Sequence, residues 1–141
     1  MGCNLKFEKL FDACTYCNLN EVKRVLHQKI DLNQRNEKGL TPLICAVEHD
    51  CIDIAKLFIE NGADVNYIGY NQWSLLHHAV DIWYEEVKNG DDKGDISIIK
   101  LLVENGVDYL MKDINGQTPL SIAQEINFIQ AIEYFQSLNG D

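Results

Sequence analysis

The chain has 141 residues, 46% of them hydrophobic and 24% charged, which gives room for one domain with a real core. Twenty-two acidic residues against twelve basic ones leave a formal net charge of −10. A field of that sign repels nucleic acid and anionic lipid and draws basic partners inward.

No apolar run approaches the roughly 18 residues that span a bilayer. The first residues lack the basic-then-apolar pattern of a secretory leader. Gly2 and Cys3 suggest acylation, but Lys6 stands where that motif needs Ser or Thr. Five cysteines, with Cys14 and Cys17 the only close pair, predict free thiols in a reducing, cytoplasmic setting.

In chain order, the segment LFDACTYCNLNEVKRVLHQKIDLN is followed 33 residues later by TPLICAVEHDCIDIAKLFIENGADVN. That shift matches Ala13 to Ala46, Asp31 to Asp64 and Asn33 to Asn66. A further 33 residues reach SLLHHAVDI at Ser74, whereas the fourth copy, TPLSIAQEINFIQAIEYF, begins at Thr118, eleven residues late. The surplus is WYEEVKNGDDK, residues 83–93. Within the second copy, Leu43, Ala46 and Val47 recur at helical spacing, and Thr41-Pro42 supplies an N-cap with proline in the first turn. CIDIAKLFIENG predicts a second helix burying Ile54, Leu57 and Phe58 and ended by Gly62. ADVNYIGYNQW has no helical period and predicts a hairpin-like finger. NEKGL and DINGQ take the equivalent places, Asn115-Gly116 being a turn pair. Units this short cannot bury their own apolar stripe, so they must stack.

TPLICAV, IAKLFIENGADVN, IIKLLVENGVD and DINGQTPLSIA resemble ankyrin repeats, whose unit of about 33 residues carries a T-P-L-H-x-A element. The resemblance covers nearly the whole chain. It implies an all-α repeat solenoid of helix–turn–helix units with hairpin fingers and a concave binding face. As one domain over 1–141, the repeats run approximately 4–36, 37–69, 70–113 and 114–141. Glu8 replaces Thr-Pro in the first and the fourth stops after its second helix, both as caps would; in the third, Ser74-Leu75 replaces Thr-Pro while His77 keeps the histidine position.

Ankyrin repeats generally bind partners through fingertips and the exposed positions of the first helix. Carried over residue by residue, these are Thr15 and Tyr16 in the first repeat and Glu37, Lys38, Leu40, Glu48 and His49 in the second. The third offers Tyr70, Asn71, Trp73, Asp81 and Ile82, and the fourth Ile114, Asn115, Gln117, Glu125 and Ile126. Tyr16, Tyr70 and Trp73 are large aromatics at places expected to be exposed, where such residues dominate interface energetics.

The insertion has its own pattern. Val80, Trp83 and Val87 share helical spacing, so the first helix of the third repeat is expected to continue, with Gly90 as its stop and Asp95 capping the next helix. Tyr84 and Glu85 would then lengthen an acidic stripe begun by Asp81, with Trp83 as core of the extension. Chemistry is sparse by comparison. Cys14-x-x-Cys17 has no second pair at zinc spacing and suits small-residue packing. His77 is expected to hydrogen-bond between repeats, His78 to pack, and His49 to be exposed. No metal, cofactor or enzymatic activity is expected. The predicted function is a protein-binding module, a monomer when free, that neutralises a basic partner. A lone stack with an LHHAVD element and an acidic insert is similar to small bacterial ankyrin proteins, several of them associated with toxin immunity. The rival is an adaptor or structural subunit with no inhibitory role.

Overall fold

The 33-residue period becomes a recurring pair of antiparallel helices in the computed structural model, which describes residues 5–88 and 95–138. Eight α-helices lie among the described residues: α1 (Leu5–Thr15), α2 (Leu19–Leu26), α3 (Pro42–Glu48), α4 (Ile52–Glu60), α5 (Leu75–Lys88), α6 (Ser97–Glu104), α7 (Pro119–Glu125) and α8 (Ile129–Leu138). α3 and α7 each open with proline at the first position, where the missing N–H costs nothing.

Capping chemistry differs between these two helices. Thr118 Oγ1 accepts from Ser121 N at 3.1 Å and Ser121 Oγ accepts from Thr118 N at 2.9 Å, a reciprocal capping box. Thr41 holds the same place but makes no cap bond, and its buried hydroxyl has no hydrogen-bond partner. Thr41 is the N-cap residue, as expected, but only by position, and a reciprocal box is closed to it because Ile44 has no polar side-chain atom to offer Thr41 N.

Between the helices of a repeat, the chain turns through a left-handed residue in one register: Cys17 (φ 50°), Asp50 (φ 53°) and Asn127 (φ 60°). Asn and Asp tolerate this conformation; Cys17 is held in it against its preference. Gly62 (φ 95°) follows α4 as its spacing predicts.

The chain forms two compact units, Met1–Asp64 and Val65–Asp141. In the N-terminal unit α1 packs on α2 and α3, and α4 on α3 and α2, around Leu10, Cys14, Val22, Leu43, Ile44, Ala46, Val47, Ile54 and Phe58. Leu57 is only half-buried, not core as expected. The stripe of α4 centres on Ile54, Ala55 and Phe58, and Leu57 falls about 100° away from that centre.

Cys17 and Cys51 are joined by a disulfide with Cα atoms 5.5 Å apart, which corrects the free-thiol expectation for this pair. Their separation of 34 is one repeat plus one residue, so successive inter-helix turns bring them side by side. Cys14 and Cys45 stay free and buried.

In the C-terminal unit α5 packs on α6 and α7, and α8 on α7, around Leu75, Leu76, His77, Val80, Ile99, Leu102, Phe128 and Phe135. α5 has 14 residues where α3 and α7 have 7, so the helix does run on through the first part of the insertion. Trp83 lies in this extension with its ring stacked on Phe128, centroids 4.2 Å apart and planes 6° from parallel. The expected stop at Gly90, the loop to residue 94 and the packing of Val87 fall outside the described residues. Asp95 lies one place earlier than expected, with Ile96 as the flanking residue of α6. Its carboxylate nevertheless accepts from Ser97 N at 2.8 Å and Ser97 Oγ at 2.6 Å.

Candidate functional site

Two fingers share one construction. Asn36 Oδ1 accepts from Lys38 N (2.9 Å) and Leu40 N (3.0 Å), while Asn36 N donates to Leu40 O (2.9 Å). Seventy-seven residues on, Asp113 Oδ1 accepts from Asn115 N (2.8 Å) and Gln117 N (2.9 Å), and Asp113 N donates to Gln117 O (2.8 Å). The side chain satisfies the backbone N–H groups of a tight loop, leaving the tip residues free to face outward. The finger of the third repeat lacks such a residue, having Gly69, and turns instead through Asn71 and Gln72 at positive φ, closed by a single bridge between Ile68 and Ser74.

In the N-terminal unit, the finger and the first helices enclose an open groove of about 480 Å³. α1 supplies Phe7, Glu8, Phe11, Asp12 and Thr15; the finger supplies Asn36, Glu37, Lys38 and Leu40; α3 supplies Cys45, Glu48 and His49. Phe7 and Phe11 meet edge to face, centroids 5.1 Å apart. Six predicted site residues, Thr15, Glu37, Lys38, Leu40, Glu48 and His49, thus share one groove. Sequence reasoning missed Glu8, Phe11 and Asp12, although their spacing puts them on one face of α1. Burial pushes the Glu48 carboxyl above its usual range, against the pull of neighbouring His49. Tyr16 is 82% exposed, as expected, and is not among the groove residues.

In the C-terminal unit the predicted residues divide. Tyr70 (77% exposed) and Ile114 (63% exposed) stand out on neighbouring fingers, joined where Ile114 N donates to Asn71 O at 2.8 Å. Trp73 corrects the expectation of an exposed aromatic. It is half-buried, its Nε1–H donates to Asp113 Oδ2 at 3.0 Å, and its ring stacks on His77 and meets His78 edge-on. Burial raises the Asp113 pKa, but the donors from Gln117, Asn115 and Trp73, with nearby His77, outweigh it and hold the carboxyl below its usual range.

His77 is fully buried and does link two repeats. Ser74 N donates to its Nδ1 at 3.0 Å, so Nδ1 is the acceptor, and Nε2–H donates to Gln117 O at 2.9 Å. Gln117 also donates from Nε2 to Glu125 at 3.0 Å. Asn115 is exposed; Asp81, Ile82 and Ile126 are half-buried. Burial, then the charge of Glu85, raises the Asp81 carboxyl. Glu85 and Tyr84 are exposed, with Lys88 Nζ 5.7 Å from the Tyr84 ring centre. Among the described residues no cluster of His, Cys, Asp and Glu could hold a metal ion, and no helix is long and apolar enough to cross a membrane.

Residues 10–89 match a family model described as ankyrin repeats (3 copies), and residues 87–136 one described as ankyrin repeats (many copies). Among curated proteins, the candidate ankyrin repeat protein FPV222 of Fowlpox virus (strain NVSL) is 30% identical over 144 residues, covering 87% of this chain and 19% of that protein. XBAT34, a candidate E3 ubiquitin-protein ligase of Arabidopsis thaliana, is 31% identical over 134 residues, covering 91% of this chain and 33% of that protein. Inversin of Canis lupus familiaris is 31% identical over 110 residues, covering 74% and 9%. The chain spans a third or less of the length of these relatives. With the period, the paired helices and these matches in agreement, the chain belongs to the ankyrin repeat family of protein–protein interaction modules.

Proposed function

We propose that this chain binds a basic protein through the groove of its N-terminal unit and inhibits it by covering its surface. The observation that supports this most is the groove's lining: carboxylates of Glu8, Asp12, Glu37 and Glu48 stand against one lysine and one histidine, beside Phe7 and Phe11. An arginine or lysine of a partner fits such a place twice over. Its cationic head pairs with carboxylates, arginine in bidentate fashion, while its aliphatic stem lies on the phenyl rings. The net charge of −10 adds long-range attraction and a fast encounter. Tyr70 and Ile114 offer a second contact surface on the C-terminal unit, each worth roughly 2 kcal/mol if it becomes central to an interface. A nucleic-acid-cleaving toxin, basic because it must hold phosphates, is a partner class with the matching field.

The test uses the whole chain as bait in the organism's own lysate, beside a Glu37→Lys, Glu48→Lys double variant whose fold is checked by circular dichroism. A basic protein retained by the wild type and weakened at least about tenfold by the reversal supports the groove. Loss of that protein's activity on adding stoichiometric wild-type chain supports inhibition. A retained protein that stays fully active makes the chain an adaptor instead, and equal capture by both baits rejects the groove.

A further inference from the structure

The Cys17–Cys51 bridge stands on the wall of a smaller open cleft in the N-terminal unit, of about 210 Å³. The turn after α1 and the start of α2 supply Cys17 and Leu19. The turn before α4 and its first residues supply Asp50, Cys51, Ile52 and Asp53. None of these lines the acidic groove. The two sulfurs are unequal. Cys17 is an exposed residue, whereas Cys51 is 5% exposed. Cys51 Sγ lies 3.2 Å from Cys14 O and 3.5 Å from His49 O. Within the bridge that sulfur has no hydrogen for these carbonyls; as a thiol it has one. Asp50 and Asp53 are exposed at the cleft, and no described residue lining it is basic.

We infer that this bridge is a reversible S-thiolation site, at which a small thiol with a neutral or cationic tail attacks Cys17 from the cleft and releases Cys51.

The thiolate of the incoming molecule attacks Cys17 Sγ, the sulfur of the residue that solvent reaches; burial closes the same attack at Cys51. A new S–S bond forms to Cys17 as the Cys17–Cys51 bond breaks. Cys51 leaves with the electron pair and takes a proton from water. One disulfide replaces another, so no external oxidant is consumed. The leaving sulfur belongs to the residue that precedes α4, where the unpaired N–H groups of the first turn favour negative charge. Once protonated, its S–H finds Cys14 O already in place as acceptor, so the buried thiol is satisfied. The two Cα atoms lie 5.5 Å apart, within disulfide reach, so return attack by Cys51 on the mixed disulfide closes the bridge again. The carboxylates of Asp50 and Asp53 choose between thiols. An anionic tail meets two like charges, whereas an ammonium tail is attracted.

The experiment exposes the whole oxidised chain, at pH about 8 and low salt, to cysteamine, mercaptoethanol or mercaptoethanesulfonate. Samples are quenched in acid at intervals and mapped by mass spectrometry without reduction, fragment ions separating Cys17 from Cys14 and Cys51 from Cys45. Each rate is divided by that of the same thiol on the urea-unfolded chain, which cancels intrinsic reactivity. The expected early product carries the thiol on Cys17 and leaves Cys51 free. By this ratio cysteamine should outpace the sulfonate at least about threefold, and about 1 M salt should bring the two together. Asp50→Asn with Asp53→Asn should remove the preference while the adduct stays on Cys17. An early adduct on Cys51, equal ratios for all three thiols at low salt, or a bridge that opens only in urea overturns the inference. So does a purified chain whose Cys17 and Cys51 are both still free after air oxidation.

Discussion

The indole Nε1–H of Trp73 donates to Asp113 Oδ2 at 3.0 Å, and this bond ties the finger of the third repeat to that of the fourth. Asp113 is buried and also takes the N–H groups of Asn115 and Gln117, so its removal leaves three donors without their acceptor. Asp113→Ala should cost about 3 kcal/mol, and Trp73→Phe about 1–2 kcal/mol because the other two donors remain. Urea unfolding of both variants and their double mutant measures the coupling, and additive losses would deny that the bond matters.

Acid should weaken the C-terminal unit in a defined window. Burial lowers both His77 and His78, the latter to about 4, with the His77 charge contributing. A histidine depressed on folding is protonated first in the unfolded chain, so its contribution to stability is intact above pH about 6.5 and is lost as pH falls from there towards the folded value. At most about 1.4 kcal/mol per group is lost for each pH unit crossed. For His77 there is also a geometric reason, since a proton on Nδ1 would face the Ser74 N–H. Asp113, lowered on folding, adds a further loss below the ordinary carboxylate range. Unfolding free energies from urea titrations at pH about 7 and about 5 should differ by roughly 2 kcal/mol. Equal free energies would contradict the burial of these rings.

The two threonine caps make a matched contrast. Thr118→Val removes a working capping box and should cost about 1 kcal/mol, whereas Thr41→Val removes a buried hydroxyl without a partner and should be neutral or stabilising. Thermal melts decide it; equal losses at both sites would mean Thr41 has a partner.

Much of the fold was readable because its signals are local and repeated. Proline after threonine, Gly62 after α4, and apolar residues at helical spacing each act within a few residues. The helical run through Trp83 was legible for the same reason. The fate of Trp73 was not, because the repeat places an aromatic at a fingertip while the partner that turns it inward, Asp113, lies 40 residues away. The disulfide had a signal that composition hides: a separation of 34 in a 33-residue period puts Cys17 and Cys51 in adjacent turns. The groove required two helices and a finger at once, so Glu37 and Glu48 were anticipated while Glu8 and Asp12 were not.

That disulfide should be a main prop of the N-terminal unit. Closing a loop of this length is worth about 3–4 kcal/mol in the chain-entropy account. Cys51→Ser should lose that amount against oxidised wild type and almost nothing against wild type under dithiothreitol. A variant as stable as the oxidised wild type would show that the bridge does not form.

We propose that a basic protein sits in the acidic groove of the N-terminal unit, between α1, α3 and the finger at 36–40. Hydrogen exchange of the chain, free and saturated with the basic protein it captures, tests this most directly. Slowed exchange is expected along α1 and in the finger at 36–40, with α2 and α4 unchanged. Protection confined to α2 and α4, or to neither face, would contradict it.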